Sequence, residues 1–467
     1  MRWKAVVSRT PFFWMALAWL WLDIPSFCWW MGKASIAQLL RSPMGFISPD
    51  RHVDHLWAAG WYFVGVSVLI LSYQPAIQAW ETARRKPWLP AGLSLLLASL
   101  SFPFVSHDIF SYYGEWRLMV LYHQNPMTTP VAAIPHWRAD LWLIRAGWQK
   151  SINPYGPAWF ALVDGLGRLA PYGFVGFFVF LKAMALASTL VTGGVLQRLR
   201  TSSAVRYVLH PVVMVEFLAN GHNDVIMVVM AALSFALWSQ RRWIFAGMAA
   251  GLSVATKYVT LVGLLWLAVA PRDWGQRFKV AGAALVVGVI LLAPFWHGQA
   301  TLAGISDPTH LFLRSPAFII QGMLVHLGGL TRASSRHWAT GITSWIFCVL
   351  YLWAAKRFWR TQDPIYIADV LLAAALILMS WLQFWYLGWA LPFYVVSRKL
   401  RAAAMVKYLA YLEIVRVTGW PFGLPVALQL VQVLLIWGPL IWGIWRIRRS
   451  ADKIRPYGLG LLNRRQQ

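Results

Sequence analysis

Cysteine is scarce in this chain, acid is scarcer than base, and charge of either sign is thin. Two cysteines, Cys28 and Cys348, stand in 467 residues, both inside apolar runs. They offer no metal-binding spacing and no disulfide framework. Sixteen Asp and Glu face 42 Lys and Arg, and charged residues make up 12% of the chain. A soluble domain carries about 25%, so a soluble fold with an ordinary polar surface is excluded. No HxxxH, CxxC or DxD pattern occurs, so a divalent metal is conceivable but nothing in the spacing supports one, and no cofactor is required. Short tandem repeats and low-complexity tracts are also missing.

What the chain has instead is apolar length. It is 59% apolar with 31 Trp, and runs of membrane-spanning size recur from end to end. The expected fold class is all-α: a polytopic helical membrane protein of about 11–14 transmembrane helices, with interfacial helices in its external loops. The net charge of +26 would suggest nucleic acid in a soluble protein. No nucleic-acid motif is present. Basic loops on the cytoplasmic side, meeting the anionic lipid of the bilayer, explain the charge better.

Charge then orients the chain. Arg2, Lys4 and Arg9 keep the N-terminus inside, and the first apolar run, Pro11 to Trp30, lacks a small-residue cleavage site and reads as a retained helix. Arg84-Arg85-Lys86 marks the inner side before Trp88 to Val105 crosses outward, so the loop 106–153 lies outside. Tyr207 to Ala219 is expected to cross outward, and Asn220 to Asp224 to turn outside. Pro157 to Leu169 and Ala317 to Leu330 are expected to be interfacial or re-entrant. Trp243 to Ala270 is either one long span or two helices meeting near Lys257, and the arginines after it favour the second. This gives 14 crossings and two cytoplasmic termini in a plasma-membrane protein. As domains, it gives one unit of a catalytic module (1–280), C-terminal helices (281–446) and a basic tail (447–467).

The densest chemistry lies in SHDIFSYYGEWRLMVLYHQNP, Ser106 to Pro126. His107, Asp108, Glu115 and Arg117 fall within eleven residues there. In a helix, Asp108, Tyr112 and Glu115 share one face at i, i+4 and i+7. Two carboxylates on one side of a surface helix can serve general-base chemistry, although a solvated loop would also accommodate them. Asn220-Gly221-His222-Asn223-Asp224 reads as a polar turn or as part of a site. Lys257, flanked by Thr256 and Tyr258 in an apolar run, needs an anionic partner: a bound phosphate, or a carboxylate such as Glu216. His107, His222 and Asp224 could be assembled into a metal site, but nothing demands it. Asp23, Lys182, Asp369 and Arg416 lie near the ends of spans and read as snorkelling or paired structural charges.

The Ser106–Pro126 stretch resembles the first external loop of GT-C-type integral-membrane glycosyltransferases, in particular the bacterial polyprenol-phosphate-mannose-dependent mannosyltransferases. The matching positions are Asp108, Tyr112-Tyr113, Gly114 to Arg117, and Asn125-Pro126. NPYGPAWF at Asn153 to Phe160, HPVVMVEFLANGHND at His210 to Asp224 and GLSVATKYVTL at Gly251 to Leu261 follow in order. Met127 after the Asn-Pro, and His107 before the aspartate, depart from the family pattern. The resemblance implies a multi-pass enzyme that moves a sugar, mannose or another hexose, from a polyprenyl-phosphate carrier on the outer face. The acceptor would be a hydroxyl of a glycolipid, glycan or protein. Asp108 would be the base of an inverting displacement, with Glu115 beside it. His107, Tyr112, Arg117, Asn125, Tyr155, His222, Asn223, Asp224 and Tyr258 would line the substrates, and Lys257 with Arg314 would hold the departing phosphate. The alternative is a transporter or flippase for a lipid-linked saccharide, which predicts internal pseudo-symmetry.

Overall fold

The computed structural model of the chain describes residues 10–30, 52–83, 86–103, 106–165, 167–169, 173–306, 312–417 and 426–451. The basic N-terminus, residues 31–51, Arg84-Arg85 and the tail from residue 452 lie outside the described residues. The described chain runs through α1 (Thr10–Trp30), α2 (His52–Thr82), α3 (Trp88–Leu100), α4 (Asp108–Val120), α5 (Pro157–Gly165), α6 (Phe174–Leu199) and α7 (Ser203–Val208). A π-helical segment, Val213–Ala219, leads to α8 (Asp224–Ser239), α9 (Trp243–Thr256), α10 (Leu261–Val269) and α11 (Trp274–Leu292). Then follow α12 (Pro316–His326), α13 (Arg332–Thr361), α14 (Ile365–Ala373), α15 (Leu391–Val396), α16 (Leu400–Val417) and α17 (Val426–Ala451). Among the described residues there is no β-strand, only two isolated bridges.

This is an all-α polytopic membrane fold. Gly60–Thr82, Phe174–Leu199, Trp274–Phe295 and Arg332–Thr361 are each long and apolar enough to cross a bilayer. At 1.5 Å per residue, about 20 residues span the ~30 Å hydrocarbon core. Only 6% of the apolar window of Trp274–Phe295 is buried against protein, so that helix presents a greasy surface suited to lipid. Other expected spans take a different form. Tyr207 to Ala219 is not one helix: α7 ends before Pro211, and the π-helical segment meets α8 at a bend of 118°. Trp88 to Val105 is helical only to Leu100. The segments expected to be interfacial are short helices of nine residues (α5) and eleven residues (α12), too short to cross alone.

Two irregularities shape the interior. The first is the break between α9 and α10. Lys257 is extended there (φ −154°, ψ 117°), and the freed carbonyl of Thr256 accepts the Gly156 N–H at 3.0 Å. A Cβ on Gly156 would lie 2.1 Å from Ala255 O, so the NPYGP stretch reaches the break only with glycine there. The second is the turn after the π-helical segment. Gly221 takes φ +71°, and Lys182 donates to the carbonyls of Leu218 (2.6 Å) and Ala219. Those carbonyls have no helical partner beyond the turn, and a cation at a helix C-terminus also complements the dipole.

Candidate active site

The start of α4, the Asn220–Asp224 turn, the Lys257 break and the turn Phe384–Trp389 converge on one buried polar cluster. Asp108 is the first residue of α4. Ser106 Oγ accepts its backbone N–H at 3.2 Å, and the helix N-terminus favours a carboxylate there. Asp108 Oδ2 lies 3.1 Å from His222 Nδ1. The Asp108 side chain keeps 13% exposure, whereas His222 and Glu216 have none, so Asp108 is the member that solvent and substrate can reach. Burial alone would raise its carboxyl. The hydrogen bond and charge of His222, with Lys257 and His107 nearby, more than offset that and hold it below the ordinary 3.8.

Behind Asp108, the His222 ring stacks on Trp385 (3.9 Å between centroids, 17°). Its Nε2 lies 3.3 Å from Glu216 Oε2, an ion-pair distance off the hydrogen-bond direction. Glu216 in turn pairs with Arg416 and accepts from Asn220 Nδ2 at 3.0 Å. Beside Asp108, Lys257 Nζ lies 2.8 Å from Asp224 Oδ1, which also accepts from Trp389 Nε1. The ammonium sits over the rings of Tyr386 (4.8 Å), Trp389 (5.3 Å) and Tyr155 (5.7 Å), a cation–π cage. The carboxylate that meets Lys257 is therefore Asp224, not Glu216. The Tyr112 hydroxyl accepts from Asn223 N (3.3 Å) and Tyr155 Oη (3.5 Å), tying α4 to both neighbouring segments.

An apolar cavity of about 430 Å3 opens next to the Lys257 break, between α9, α10 and α11. Tyr258, Ala255, Pro157, Leu285 and Leu292 are among its walls. Among the described residues no group of three or more His, Cys, Asp or Glu is arranged to hold a metal ion. His107, His222 and Asp224 face three different partners.

The N-terminal domain of the alpha-(1->6)-mannopyranosyltransferase (MptA_B) family matches residues 13–272. The chain belongs to this family. Neither a curated protein nor a solved structure matches it. It is thus a GT-C-type membrane mannosyltransferase. The family match contains Asp108, Glu216, His222, Asp224 and Lys257. Trp385, Trp389 and Arg416 complete the same cluster from beyond residue 272.

The remaining candidate residues of this family member fall elsewhere. Glu115 shares the face of Asp108 but is sealed at 1% exposure. Asn153 Nδ2 donates to its Oε1 and Trp159 Nε1 to its Oε2 at 2.9 Å. Burial pushes the Glu115 carboxyl well above its ordinary range, the Trp159 bond opposes this only in part, and the Asp108 charge adds to it. Expected as a second catalytic carboxylate, it is buried and bonded to the Asn153–Phe160 stretch. Arg117 turns away to Asp140 and to the Tyr122 hydroxyl (3.3 Å). Asn125 donates to Phe295 O at 2.8 Å and lies 2.9 Å from His297 Nδ1. His107 Nδ1 faces Arg145 O at 3.0 Å. Tyr258 lines the apolar cavity. Arg314 Nε donates to Gln432 (2.9 Å) and its guanidinium sits over the Phe384 ring at 5.6 Å, a ring it shares with Arg416 at 5.8 Å.

Arg416 reads from the sequence as a span-end charge, and nothing in the sequence sets Trp385, Tyr386 and Trp389 apart. A signal for Arg416 existed: a charge in an apolar run requires a buried partner, and Glu216 was one of the few acids in such a run. The aromatic residues carried none, being three among many. Asp23, Lys182 and Asp369 are paired as expected: Ser101 donates to Asp23, and Tyr394 (3.0 Å) and Arg401 hold Asp369.

Proposed function

We propose that this protein transfers a mannosyl group from a polyprenyl-phosphate carrier to an acceptor hydroxyl at the outer face of the membrane, with Asp108 as the general base. The observation that carries the reading is the Asp108 carboxylate: largely buried, kept ionised by His222 and Lys257, and the most open of the three carboxylates in its cluster. As the acceptor oxygen attacks the anomeric carbon, its proton passes to Asp108. The C–O bond to phosphate breaks on the opposite side and its electron pair leaves with the polyprenyl phosphate, so configuration inverts. A phosphate leaving group departs without strong protonation, so one base suffices.

Lys257 commits one of its three N–H groups to Asp224. The others can meet the phosphate as its charge grows. The apolar cavity beside Lys257 matches an isoprenoid tail in chemistry and position. No step is routed through a metal. The test uses enzyme in nanodiscs with labelled polyprenyl-phosphate mannose, a lipid acceptor extract, and EDTA in half the samples. Transfer by wild type and not by Asp108→Asn is expected, with EDTA without effect. Normal transfer by a folded Asp108→Asn protein removes the base, and donor carried across the bilayer intact replaces transfer with transport.

A further inference from the structure

The chain has four glutamates, and three of them, Glu115, Glu216 and Glu413, are buried. Of these, Glu216 faces the histidine that holds Asp108. It sits on the π-helical segment Val213–Ala219, an irregularity often found at functional sites. A buried carboxylate is costly unless its partners are good. Glu216 has Arg416, Asn220 and His222.

A second histidine in the same chain shows what a purely structural imidazole needs. His210 is also fully buried, and its Nε2 is satisfied by Val406 O at 2.9 Å while Nδ1 accepts from Val212 N at 3.2 Å. Neutral backbone groups suffice to fix that ring. His222 instead has a carboxylate on each side: Asp108 at Nδ1 and Glu216 at Nε2. Nδ1 holds Asp108 at hydrogen-bond distance, and Glu216 stands 3.3 Å from Nε2 on the other side of the ring. Arg416 balances the second carboxylate, so the row runs Asp108–His222–Glu216–Arg416 with a carboxylate on each side of the imidazole.

We propose that Glu216, neutralised by Arg416, is a positioning residue for mannosyl transfer: through His222 it keeps Asp108 ionised and aimed at the acceptor hydroxyl. The proposal rests on the reading of Asp108 as the base. It also extends the working site to α16, beyond the part of the chain that the family describes. Other groups face the row. Asp108 is also within the field of Lys257, His107, Glu115 and Arg416, and of the Tyr112, Tyr155 and Tyr386 hydroxyls. Arg416 interacts with Tyr62, which lies 3.4 Å from Glu413. None of these touches His222 Nε2 as Glu216 does.

The test is the pH dependence of kcat and kcat/KM in nanodiscs with polyprenyl-phosphate mannose, for wild type, Glu216→Gln, Glu216→Asp, His222→Asn and the His222→Asn/Glu216→Gln double variant. Removing the Glu216 charge frees the His222 ring on its far side and loosens its contact with Asp108 at 3.1 Å, so the base protonates at higher pH. Glu216→Gln is expected to lose about tenfold or more in kcat, to keep donor KM within about twofold, and to move the acidic limb up by about one pH unit. Glu216→Asp falls between wild type and Gln. On the His222→Asn background the Gln change costs less than about twofold further, because its route is already cut.

An unmoved acidic limb, a full additive loss in the double variant, or a change in KM alone overturns the proposal. Where the Gln form does not accumulate, the Asp form decides alone: a limb shifted upward supports the proposal and an unshifted one opposes it. Asp108→Asn is run alongside. Activity there removes the base and this proposal together, while an inactive Asp108→Asn with an unmoved Glu216→Gln limb removes only the role of Glu216.

Discussion

Two carboxylates lie seven residues apart on one face of α4, and they behave as opposites. Asp108, at the N-terminus, meets His222 and has Lys257 nearby, and its carboxyl is held below the ordinary carboxylate range. Glu115, two turns further on, meets the neutral donors Asn153 and Trp159 with no cation in contact, and its carboxyl is pushed well above that range. The Tyr112 ring stands between them, 4.9 Å from the ring of Trp159. Both are largely withdrawn from water, Glu115 more fully, and the sign of the neighbours sets their carboxyls apart. A base needs a charged and reachable oxygen, and one end of the helix provides it.

The comparison breaks most visibly at Asp108. Asp108→Asn removes the proton acceptor but keeps shape and the contact with His222. A loss of about 10²–10⁴-fold in transfer is expected, with the detergent-solubilised protein still monodisperse. The same change at Glu115, Glu115→Gln, is expected to leave kcat of the folded protein within about threefold, because a carboxyl sealed from the substrate exchanges no proton with it. Equal losses at the two positions would mean that α4 works as a unit and that the contrast in charge is irrelevant.

Next in size is Lys257, the cation whose field Asp108 feels and Glu115 does not. Lys257→Ala strands Asp224 and empties the aromatic cage of Tyr155, Tyr386 and Trp389. An increase of about tenfold in donor KM is expected, larger than its effect on kcat at saturating donor. A change in kcat alone would place Lys257 with the base rather than with the phosphate.

Much of this contrast was legible in the residues, and part was not. Helical periodicity put Asp108 and Glu115 on one face, and the turn Asn220–Asp224 and Lys257 stood out as polar groups in apolar runs. Periodicity cannot say which of two carboxylates on a face is open, because that depends on what packs over them: Asn153 and Trp159 from the NPYGPAWF stretch cover Glu115. The pairing of Glu216 with Arg416 joins residues 200 positions apart, and no local pattern encodes such a contact. Trp385 and Trp389 were hidden among 31 Trp. The expected spans erred where backbone irregularities intervene, at the π-helical segment and after Leu100, since hydropathy registers apolar length and not a change in hydrogen-bond register.

Stability against pH sharpens the comparison at smaller cost. The folded Asp108 carboxyl lies below its ordinary 3.8, so its contribution is present above that value and is lost as pH falls through the folded one. The folded Glu115 carboxyl lies above its ordinary 4.5. Its contribution is complete below 4.5 and is lost as pH rises toward the folded value. Thermal unfolding followed from pH 2 to 8 should therefore flatten on the acid side in Asp108→Asn and on the alkaline side in Glu115→Gln. Glu115→Gln should also cost about 1–3 kcal/mol, because its amide NH2 must face a donor where an acceptor stood. Flattening on the same side in both variants would refute the opposition.

The smallest effect is expected at Arg117, which lies on α4 between these carboxylates and the C-terminus of the helix and was expected to bind substrate. Its guanidinium pairs with Asp140 across the loop, with side-chain exposures of 16% and 24%, so water screens the pair on one side. It also donates to Tyr122 and sits 5.7 Å from the centre of the Tyr113 ring. None of these groups touches Asp108, His222 or Lys257. Partly exposed ion pairs contribute about 0.2–1 kcal/mol, so Arg117→Gln should lower the unfolding temperature slightly and leave kcat and donor KM within about twofold. The salt dependence gives a second reading: raising ionic strength should bring wild type down toward the variant, as screening weakens the pair. A tenfold rise in KM for donor or acceptor would instead place Arg117 against a substrate. The reach of the site would then run the length of α4, and the contrast between its ends would describe only the step at the anomeric carbon.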